Sequence, residues 1–326
     1  FWEEKGAQVI GAKDHTVFEK NEVVKADGTP YLVFSPYSKA WLKKLNDYYL
    51  KSYPSEDFLQ NLLAAQPQEL PTLESMGFTA SSLEVPPLNI EHSVVRTYDE
   101  TRNFPALRKG TTRLGLHLRF GTLSIRVLAR TARAENSTFL NELIWRDFFQ
   151  MALYHFPESR EKAIKPKYDL IPWSKNEAHF AAWCAGKTGY PIVDAGMREL
   201  NKTGYMHNRV RMIVASFLTK HLLIDWRWGE AYFARKLLDF DLASNIGGWQ
   251  WASGSGLDAA PYFRVFNPTS QLEKFDKDLR YVKKWVPEYG TAYYPKPIVE
   301  HKWARERCLA TFKEALNGGG AGESLT

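Results

Sequence analysis

A carboxylate and an indole lie three residues apart in the segment 141–147. If this segment is helical, Glu142 and Trp145 share a face and Arg146 adjoins them. Such a pair suits a pocket that stacks on a flat polar ligand and hydrogen-bonds its edge. A core tryptophan beside a surface Glu–Arg pair is the more common arrangement. This segment alone therefore leaves both interpretations open.

A second group of functional side chains follows about sixty residues later. Asn208, Arg211 and Met212 are spaced i, i+3, i+4 and therefore share a helix face. The next residues are mostly apolar, which predicts that this helix is buried. A buried arginine needs an acidic partner or a bound anion. Asp239 and Asp241 offer the carboxylates.

A hydroxyl-rich turn at Thr111 and Thr112 precedes a predicted helix at 116–120. Hydroxyl groups and free amides at the start of a helix suit a phosphate group, and Arg113 adds a positive charge. Helix capping alone explains the same residues equally well.

Two glycines, Gly247 and Gly248, lie between Asn245 and Trp249. Glycine lets the backbone approach a flat or bulky group closely. A structural turn is the alternative, and without the neighbouring motifs it would be the better interpretation.

The segment 254–259 matches a dinucleotide-binding fingerprint, but its context does not. Pro261 follows at once, and no strand–turn–helix unit surrounds the match. We interpret the segment as a loop. No Walker phosphate loop, HExxH motif or spaced Cys/His quartet occurs, so we expect no metal site.

The composition excludes several classes of protein. With 44% hydrophobic and 14% aromatic residues, the chain has ample material for a folded core. Its two cysteines, Cys184 and Cys308, lie far apart, which indicates free thiols and a cytoplasmic protein. There is no run of eighteen apolar residues, so we expect no membrane-spanning segment.

Positive charge is concentrated in the middle of the chain. The formal net charge is +6, yet residues 101–220 alone hold 20 Lys and Arg against 9 Asp and Glu. Such a concentration makes nucleic acid a candidate partner. A solvated basic surface is the alternative.

Short extended pieces come first in the chain, and helices follow. Three segments, 8–12, 22–25 and 31–34, are typical of strands at the end of an α/β unit. Residues 52–92 are rich in proline and polar residues, which predicts a linker with short helices. Helical periodicity then dominates at 122–134, 137–155, 175–186, 191–202, 206–224, 229–238 and 299–316.

Five stretches together resemble the photolyase/cryptochrome family, and most closely its DNA photolyases that repair cyclobutane pyrimidine dimers. They are TTRLGLHLRFG at 111–121, NELIWRDFF at 141–149, GKTGYPIVDAGMREL at 186–200, GYMHNRVRMIVASFLTKHLLIDWRWGE at 204–230 and DFDLASNIGGWQWASGSGLDAAPYFRVFNP at 239–268.

The resemblance implies a mainly α fold. An all-helical FAD-binding domain would follow the C-terminal remnant of an α/β, Rossmann-like antenna domain whose first part is missing. We expect residues 1–40 to end that α/β domain, 41–92 to form the linker, 93–317 to form the helical FAD- and DNA-binding domain, and 318–326 to be a disordered tail.

The resemblance also implies FAD as the cofactor, held by residues at matched positions. Those on the pyrophosphate and ribityl side would be Tyr98, Thr111, Thr112, Arg113 and Leu114, and the cofactor-binding set would also include Gly115 and Phe139. Gly115 stands where the family usually has serine, and Phe139 where dimer-repairing enzymes often have tryptophan. Those nearer the flavin and its phosphates would be Arg146, Asn208, Arg211, Asp239 and Asp241, with Asn245 at flavin N5.

The implied reaction is light-driven repair, in which photoexcited reduced FAD gives an electron to a flipped-out dimer. Glu142 would hydrogen-bond the thymine edge and stabilise the radical anion, and Trp145 and Met212 would form apolar walls. Ultraviolet-damaged DNA would be contacted by Arg102, Asn208, Arg209 and Trp251. The residues that match the family's electron-transfer chain are Trp249, Trp226 and Trp173.

A cryptochrome, which binds FAD as a photoreceptor without repairing DNA, is the main alternative. Trp145, Met212 and Asn245 favour a photolyase. Repair of the (6-4) photoproduct requires a histidine pair in this family, and here the matching helix has only His207. A light-independent nucleic-acid-binding module is the non-enzyme hypothesis. An antenna chromophore, folate or deazaflavin, is compatible with the resemblance, which also implies a monomer.

Overall fold

A computed structural model of the chain describes residues 2–11 and 13–318. These residues form fourteen α-helices, and none of those is both long and apolar enough to span a membrane. The helices are α1 (Phe34–Lys44), α2 (His92–Arg96), α3 (Tyr98–Thr101), α4 (Gly115–Phe120), α5 (Ile125–Glu135), α6 (Ser137–His155), α7 (Glu177–Cys184), α8 (Pro191–Thr203), α9 (Asn208–Ser216), α10 (Trp226–Lys236), α11 (Leu242–Ser253), α12 (Pro268–Phe275), α13 (Arg280–Trp285) and α14 (His301–Gly318).

Shorter helical turns join these elements, and the mainly α fold class is confirmed. The 3₁₀ turns are Glu3–Lys5, Ser55–Asn61, Pro157–Arg160 and Pro166–Leu170, and a π-helical turn at Phe217–His221 continues α9. The predicted helix at 137–155 matches α6 residue for residue, because Asn136 accepts a hydrogen bond from the Phe139 N–H and caps it. The segment 254–259 is a loop, as predicted.

The predicted strands do not form in the described part of the chain. Residues 8–11, 22–25 and 31–33 are irregular, Phe34 begins α1, and Ala12 lies outside the described residues. A strand satisfies its backbone groups only by pairing with another strand. The described residues contain one isolated bridge, between Ser174 and Ile224. The alternative interpretation of Gly247 and Gly248 as a structural turn does not hold, because both glycines lie inside α11.

Two of the predicted domain boundaries, 40/41 and 317/318, fall inside helices. Helix α1 crosses the boundary at 40/41 and ends at Lys44. Residues 51–85 are exposed throughout, which is compatible with a linker. Gly318, the first residue of the predicted tail, is the last residue of α14, and 319–326 lie outside the described residues.

Helix α11 lies between two hydrophobic cores. One core is built mainly by α8 to α13, and the other by α1, α5, α6 and buried residues near the start of the chain. A Cβ atom at Gly247 would lie 2.2 Å from the Phe149 ring of α6. A Cβ atom at Gly229 of α10 would lie 2.1 Å from the Trp249 ring of α11. Glycine at these two positions therefore lets α11 pack closely against α6 and α10.

One buried carboxylate ties the start of the chain to α6. Asp147 is 2% exposed, and its Oδ2 atom accepts hydrogen bonds from Trp41 Nε1 at 3.0 Å and from the amides of Val17 and Phe18 at 3.2 Å each. Burial raises the pKa of Asp147 to about 6, although the hydrogen bonds from Trp41 and Phe18 act in the opposite direction. The folded protein therefore holds this proton more tightly than the unfolded chain does.

This pKa shift predicts a specific pH dependence of stability. The stability contributed by protonated Asp147 is fully present below a pH of 3.8 and is lost as pH rises through about 6. Since asparagine does not ionise, the stability of Asp147→Asn relative to the wild type should rise by about 2 kcal/mol between pH 4 and pH 7. Urea unfolding at both pH values measures this difference. The surface variant Asp47→Asn is the control, and an equal pH response in both variants would contradict the prediction.

Candidate functional site

A cavity of about 260 Å³ opens between α6, α9, α10 and α11. It is lined by ten of the residues proposed from the sequence: Glu142, Trp145, Arg146, Asn208, Arg211, Met212, Asp239, Asp241, Asn245 and Trp249. The first and the last of them, Glu142 and Trp249, lie more than a hundred positions apart in the sequence. Helical packing has therefore gathered ten of the twenty-two proposed site residues around one space.

The acidic partner expected for Arg211 is Asp239, and this half-buried ion pair lies in the lining of the cavity. Arg211 Nη2 lies 2.9 Å and 3.1 Å from the two carboxylate oxygens of Asp239, and Arg211 Nε donates to the Met206 carbonyl at 2.7 Å. Burial by itself would lower the pKa of Arg211, but the Asp239 carboxylate raises it. Arg211 therefore stays charged in the folded protein.

Asp241 and Asn245 are held in place by hydrogen bonds near the start of α11. Asp241 caps the helix by accepting from the Ser244 amide at 2.8 Å, and it also accepts from Gln150 Nε2 at 2.9 Å. Asn245 Nδ2 donates to Glu230 Oε1 at 2.8 Å. Asn245 Oδ1 is then the atom left to accept a hydrogen bond from a ligand in the cavity.

Glu142, also in the lining of the cavity, pairs with Arg102. Arg102 Nη1 lies 2.5 Å from Glu142 Oε1, and the Arg102 guanidinium lies over the Tyr98 ring at 5.6 Å. Trp145 and Met212 supply apolar walls of the same cavity. The lining therefore combines a charged acceptor with a flat apolar surface.

Arg209 is a further cation near Arg102 and Glu142, and its side chain is held in one orientation. Its Nη2 atom donates to Asn103 Oδ1 at 2.6 Å, and its guanidinium lies 4.6 Å from the centre of the Phe275 ring. A fixed guanidinium is well suited to contact a phosphate group.

Two features indicate that the cavity suits FAD. Arg146 Nη2 is buried without a hydrogen-bond partner among the described residues, as expected of a cation that faces an absent anion. Gly248 lines the cavity, and a Cβ atom placed there would have no atom of another described segment within 4 Å, so the backbone leaves room for a flat group. Cations, a fixed amide and an open backbone face match what a flavin and its phosphates require.

The hydroxyl-rich turn lies outside this cavity but is connected to it. Thr111, Thr112 and Arg113 line a separate cleft of about 310 Å³. Arg113 also lines a third cavity of about 530 Å³ together with Asp239, which is shared with the first cavity. A Cβ atom at Gly115 would lie 3.0 Å from Asp239 Oδ2, so the absent side chain leaves space beside the Arg211 ion pair.

Three of the proposed cofactor residues belong to the hydrophobic core. Leu114 is 2% exposed and Phe139 is 5% exposed. The Tyr98 ring packs its edge against Phe139, with ring centres 4.9 Å apart, and burial raises the pKa of Tyr98 well above its ordinary value. None of the three lines the main cavity, so their role in the structure is to pack in or against the core.

The proposed tryptophans occupy different environments. Trp249 lines the cavity, Trp226 is 1% exposed, and Trp173 packs against Phe312 with ring centres 5.8 Å apart. Trp251 is half-buried against the first core and does not line the cavity.

Trp183 was not predicted from the sequence, and its ring centre lies 6.1 Å from that of Trp249. Trp183 is fully buried, and its Nε1 donates to the Val214 carbonyl at 3.1 Å. No local signal separates this residue from an ordinary core tryptophan, because only the packing of α7 against α11 brings the two rings together.

Comparison with known proteins shows to which family this chain belongs. Residues 139–292 match the family model described as the FAD binding domain of DNA photolyase. The chain is 39% identical to the deoxyribodipyrimidine photo-lyase of Escherichia coli (strain K12), and the match covers 94% of this chain and 73% of that protein. This chain belongs to the DNA photolyase family. The resemblance seen in the sequence is thereby confirmed.

Solved structures from the photolyase family show the same fold. A bacterial class III photolyase from Agrobacterium tumefaciens matches with a TM-score of 0.83 and 35% identity, over 97% of this chain and 75% of that one. The cryptochrome of Synechocystis sp. PCC6803 matches with a TM-score of 0.74 over 95% of this chain and 74% of that one. At 24% identity, the cryptochrome supports the fold alone.

Proposed function

We propose that this chain repairs cyclobutane pyrimidine dimers in DNA by a light-driven reaction that uses bound FAD. The observation that carries the proposal is a single cavity lined by two chemically different groups of residues. Arg146, Asn245 and the Arg211–Asp239 pair suit the cofactor, and Glu142 with Trp145 suits a flat polar lesion. A cofactor and a lesion in this cavity would lie close enough for direct electron transfer. When bound, FAD supplies the light-absorbing electron donor.

The residues proposed to hold the cofactor would orient it and balance its charge. Arg146 would neutralise phosphate charge with its unpaired Nη2–H group. Asn245, whose amide is oriented by Glu230, would present Oδ1 to flavin N5 and so influence which protonation state persists. The Arg211–Asp239 pair would place one cation and one anion beside the flavin ring.

The residues proposed to contact the lesion would bind a dimer that has left the base stack. A distorted lesion is poorly stacked, so its extrusion requires less free energy than that of an intact pair. Trp145 and Met212 would contact its apolar faces, and Glu142 would hydrogen-bond the thymine edge. Arg102 and Arg209 would contact the flanking phosphates, in keeping with the basic central segment.

The comparison of light with darkness tests the proposed function. Purified protein with reduced FAD is incubated with an oligonucleotide that contains one cyclobutane dimer, and the remaining dimer is measured by chromatography. Loss of dimer only in blue light is the expected result. Equal dimer content in light and dark, with FAD bound, would overturn the proposal and favour the photoreceptor alternative. A colourless protein that binds DNA would favour the non-enzyme hypothesis.

Trp249, Trp226 and Trp173 would carry electrons between the flavin and the surface. Trp249→Phe should slow the photoreduction of oxidised FAD but leave repair unchanged when FAD is already reduced, because phenylalanine is much harder to oxidise. Flavin absorbance under illumination measures the rate. Trp303→Phe, at a residue that is 53% exposed on α14, is the control. Photoreduction at the wild-type rate in Trp249→Phe would exclude Trp249 from the chain.

The proposed setting of this reaction is the cytoplasm, with ultraviolet-damaged DNA as the partner and the protein as a monomer. Cys184 and Cys308 are both free thiols, which supports a reducing compartment. The resemblance to the family supports the monomer.

A further inference from the structure

The Trp145 indole is stacked face to face on a side chain from a distant part of the sequence. The Phe34 and Trp145 rings have centres 3.7 Å apart and planes only 5° apart. Phe34 is 7% exposed, whereas Trp145 is half-buried and lines the cavity. One face of the indole is therefore covered by Phe34.

We propose that Phe34 and Asp258 are positioning residues, which fix the orientation of Trp145 for lesion recognition. The proposal rests on the proposed function, because that function makes Trp145 a lesion contact. It also gives a role to the loop 254–259, which matched a dinucleotide-binding fingerprint outside its usual context.

Asp258 holds the first residue of α1 in place. Val33, at the N-terminal cap of α1, supplies no side-chain cap. Instead the Phe34 N–H donates to the Asp258 carboxylate, and the Asp258 N–H donates to the Leu32 carbonyl at 3.2 Å. The loop after α11 therefore caps α1 from outside that helix and places the Phe34 backbone.

Helix α1 is also bound firmly to α6, the helix that carries Trp145. Trp41 of α1 donates to Asp147 of α6, the residue that follows Arg146. The Phe148 ring contacts both stacked rings, with centres 5.8 Å from Phe34 and 5.6 Å from Trp145. The indole is thus confined on one face and one edge, so little freedom is left to its ring.

This confinement should strengthen lesion binding. A mobile side chain loses rotational freedom when it is ordered on binding, and that loss weakens the complex. Because Phe34 has already ordered the indole, a lesion can stack on Trp145 without this loss. Removal of the stack should therefore weaken binding of the dimer about two- to tenfold while leaving FAD content and binding of undamaged DNA unchanged.

The variants separate orientation of Trp145 from general stability of α1. Phe34→Leu removes the stacked ring, and Phe34→Tyr keeps it. Asp258→Ala removes the external cap, and Asp258→Asn keeps an acceptor and tolerates the left-handed backbone at this residue (φ 44°). Tyr37→Leu is the matched control, since Tyr37 is a buried aromatic residue of α1 whose ring contacts Phe148 and Tyr31.

Two measurements on the FAD-loaded protein decide the proposal. The first is the ¹⁹F resonance of Trp145 in protein labelled with 5-fluorotryptophan, assigned by its absence in Trp145→Phe. The second is dark binding of an oligonucleotide with one dimer, compared with the same undamaged oligonucleotide. We expect Phe34→Leu and Asp258→Ala to shift or broaden this resonance and to weaken dimer binding, whereas Phe34→Tyr, Asp258→Asn and Tyr37→Leu resemble the wild type.

The proposal is overturned if Phe34→Leu leaves the Trp145 resonance and dimer binding unchanged. It is also overturned if Tyr37→Leu weakens dimer binding as much as Phe34→Leu does, because the effect would then reflect α1 stability. Failure of the proposed function looks different. In that case the wild type binds both oligonucleotides equally, while the Trp145 resonance still reports whether Phe34 orients the indole.

Discussion

Replacing Arg211 with methionine should yield protein that purifies without FAD and is colourless. The variant would leave Asp239 as an unpaired carboxylate in a largely buried site, which costs about 3–5 kcal/mol. It would also remove the cation from the proposed flavin contact. Flavin absorbance relative to protein absorbance measures the occupancy, and we expect it to fall at least about tenfold, the equivalent of ~1.4 kcal/mol.

A second ion pair of similar exposure provides the control for Arg211→Met. Arg198 Nη2 lies 2.6 Å from Glu288 Oε1, and the two side chains are 22% and 29% exposed. This pair does not line the cavity. Arg198→Met should therefore lower stability yet retain FAD. Normal FAD content in Arg211→Met, or equal loss in both variants, would contradict a direct role for Arg211.

Replacing Glu142 with glutamine should weaken dark binding of dimer-containing DNA about tenfold to a hundredfold. This range corresponds to a hydrogen bond to a charged group, ~1.5–3 kcal/mol. Glutamine keeps the shape of the side chain but removes the charge that Arg102 and the lesion edge would share. Fluorescence anisotropy with labelled oligonucleotide measures the affinity, and binding of undamaged DNA should change little.

The ion pair of Glu142 with Arg102 requires a further test, because Glu142 could act only by placing Arg102. In a double-mutant cycle, Glu142→Gln should still weaken dimer binding when Arg102→Gln is already present. If Glu142→Gln has no additional effect in that background, Glu142 is a positioning residue for Arg102 and not a lesion contact.

Local sequence patterns predicted much of the helical part of this protein. Residue type and the i, i+4 spacing are properties of a continuous segment, so α6 and α8 could be recognised without the fold. That Arg211 needs an acidic partner was also predicted, with Asp239 and Asp241 as the candidates, and the fold selects Asp239. The same patterns failed at 22–25 and 31–34, since a strand depends on a partner that lies elsewhere.

The sequence by itself determined the family, the helices and the residue types of the site. The tertiary structure alone decided which of those residues share one cavity, and it excluded Leu114 and Phe139 from its lining. It also revealed that Phe34 covers Trp145 and that Trp183 contacts Trp249. The reason is physical: helix formation follows from interactions within a few residues, whereas a cavity arises from contacts between side chains that are distant in sequence.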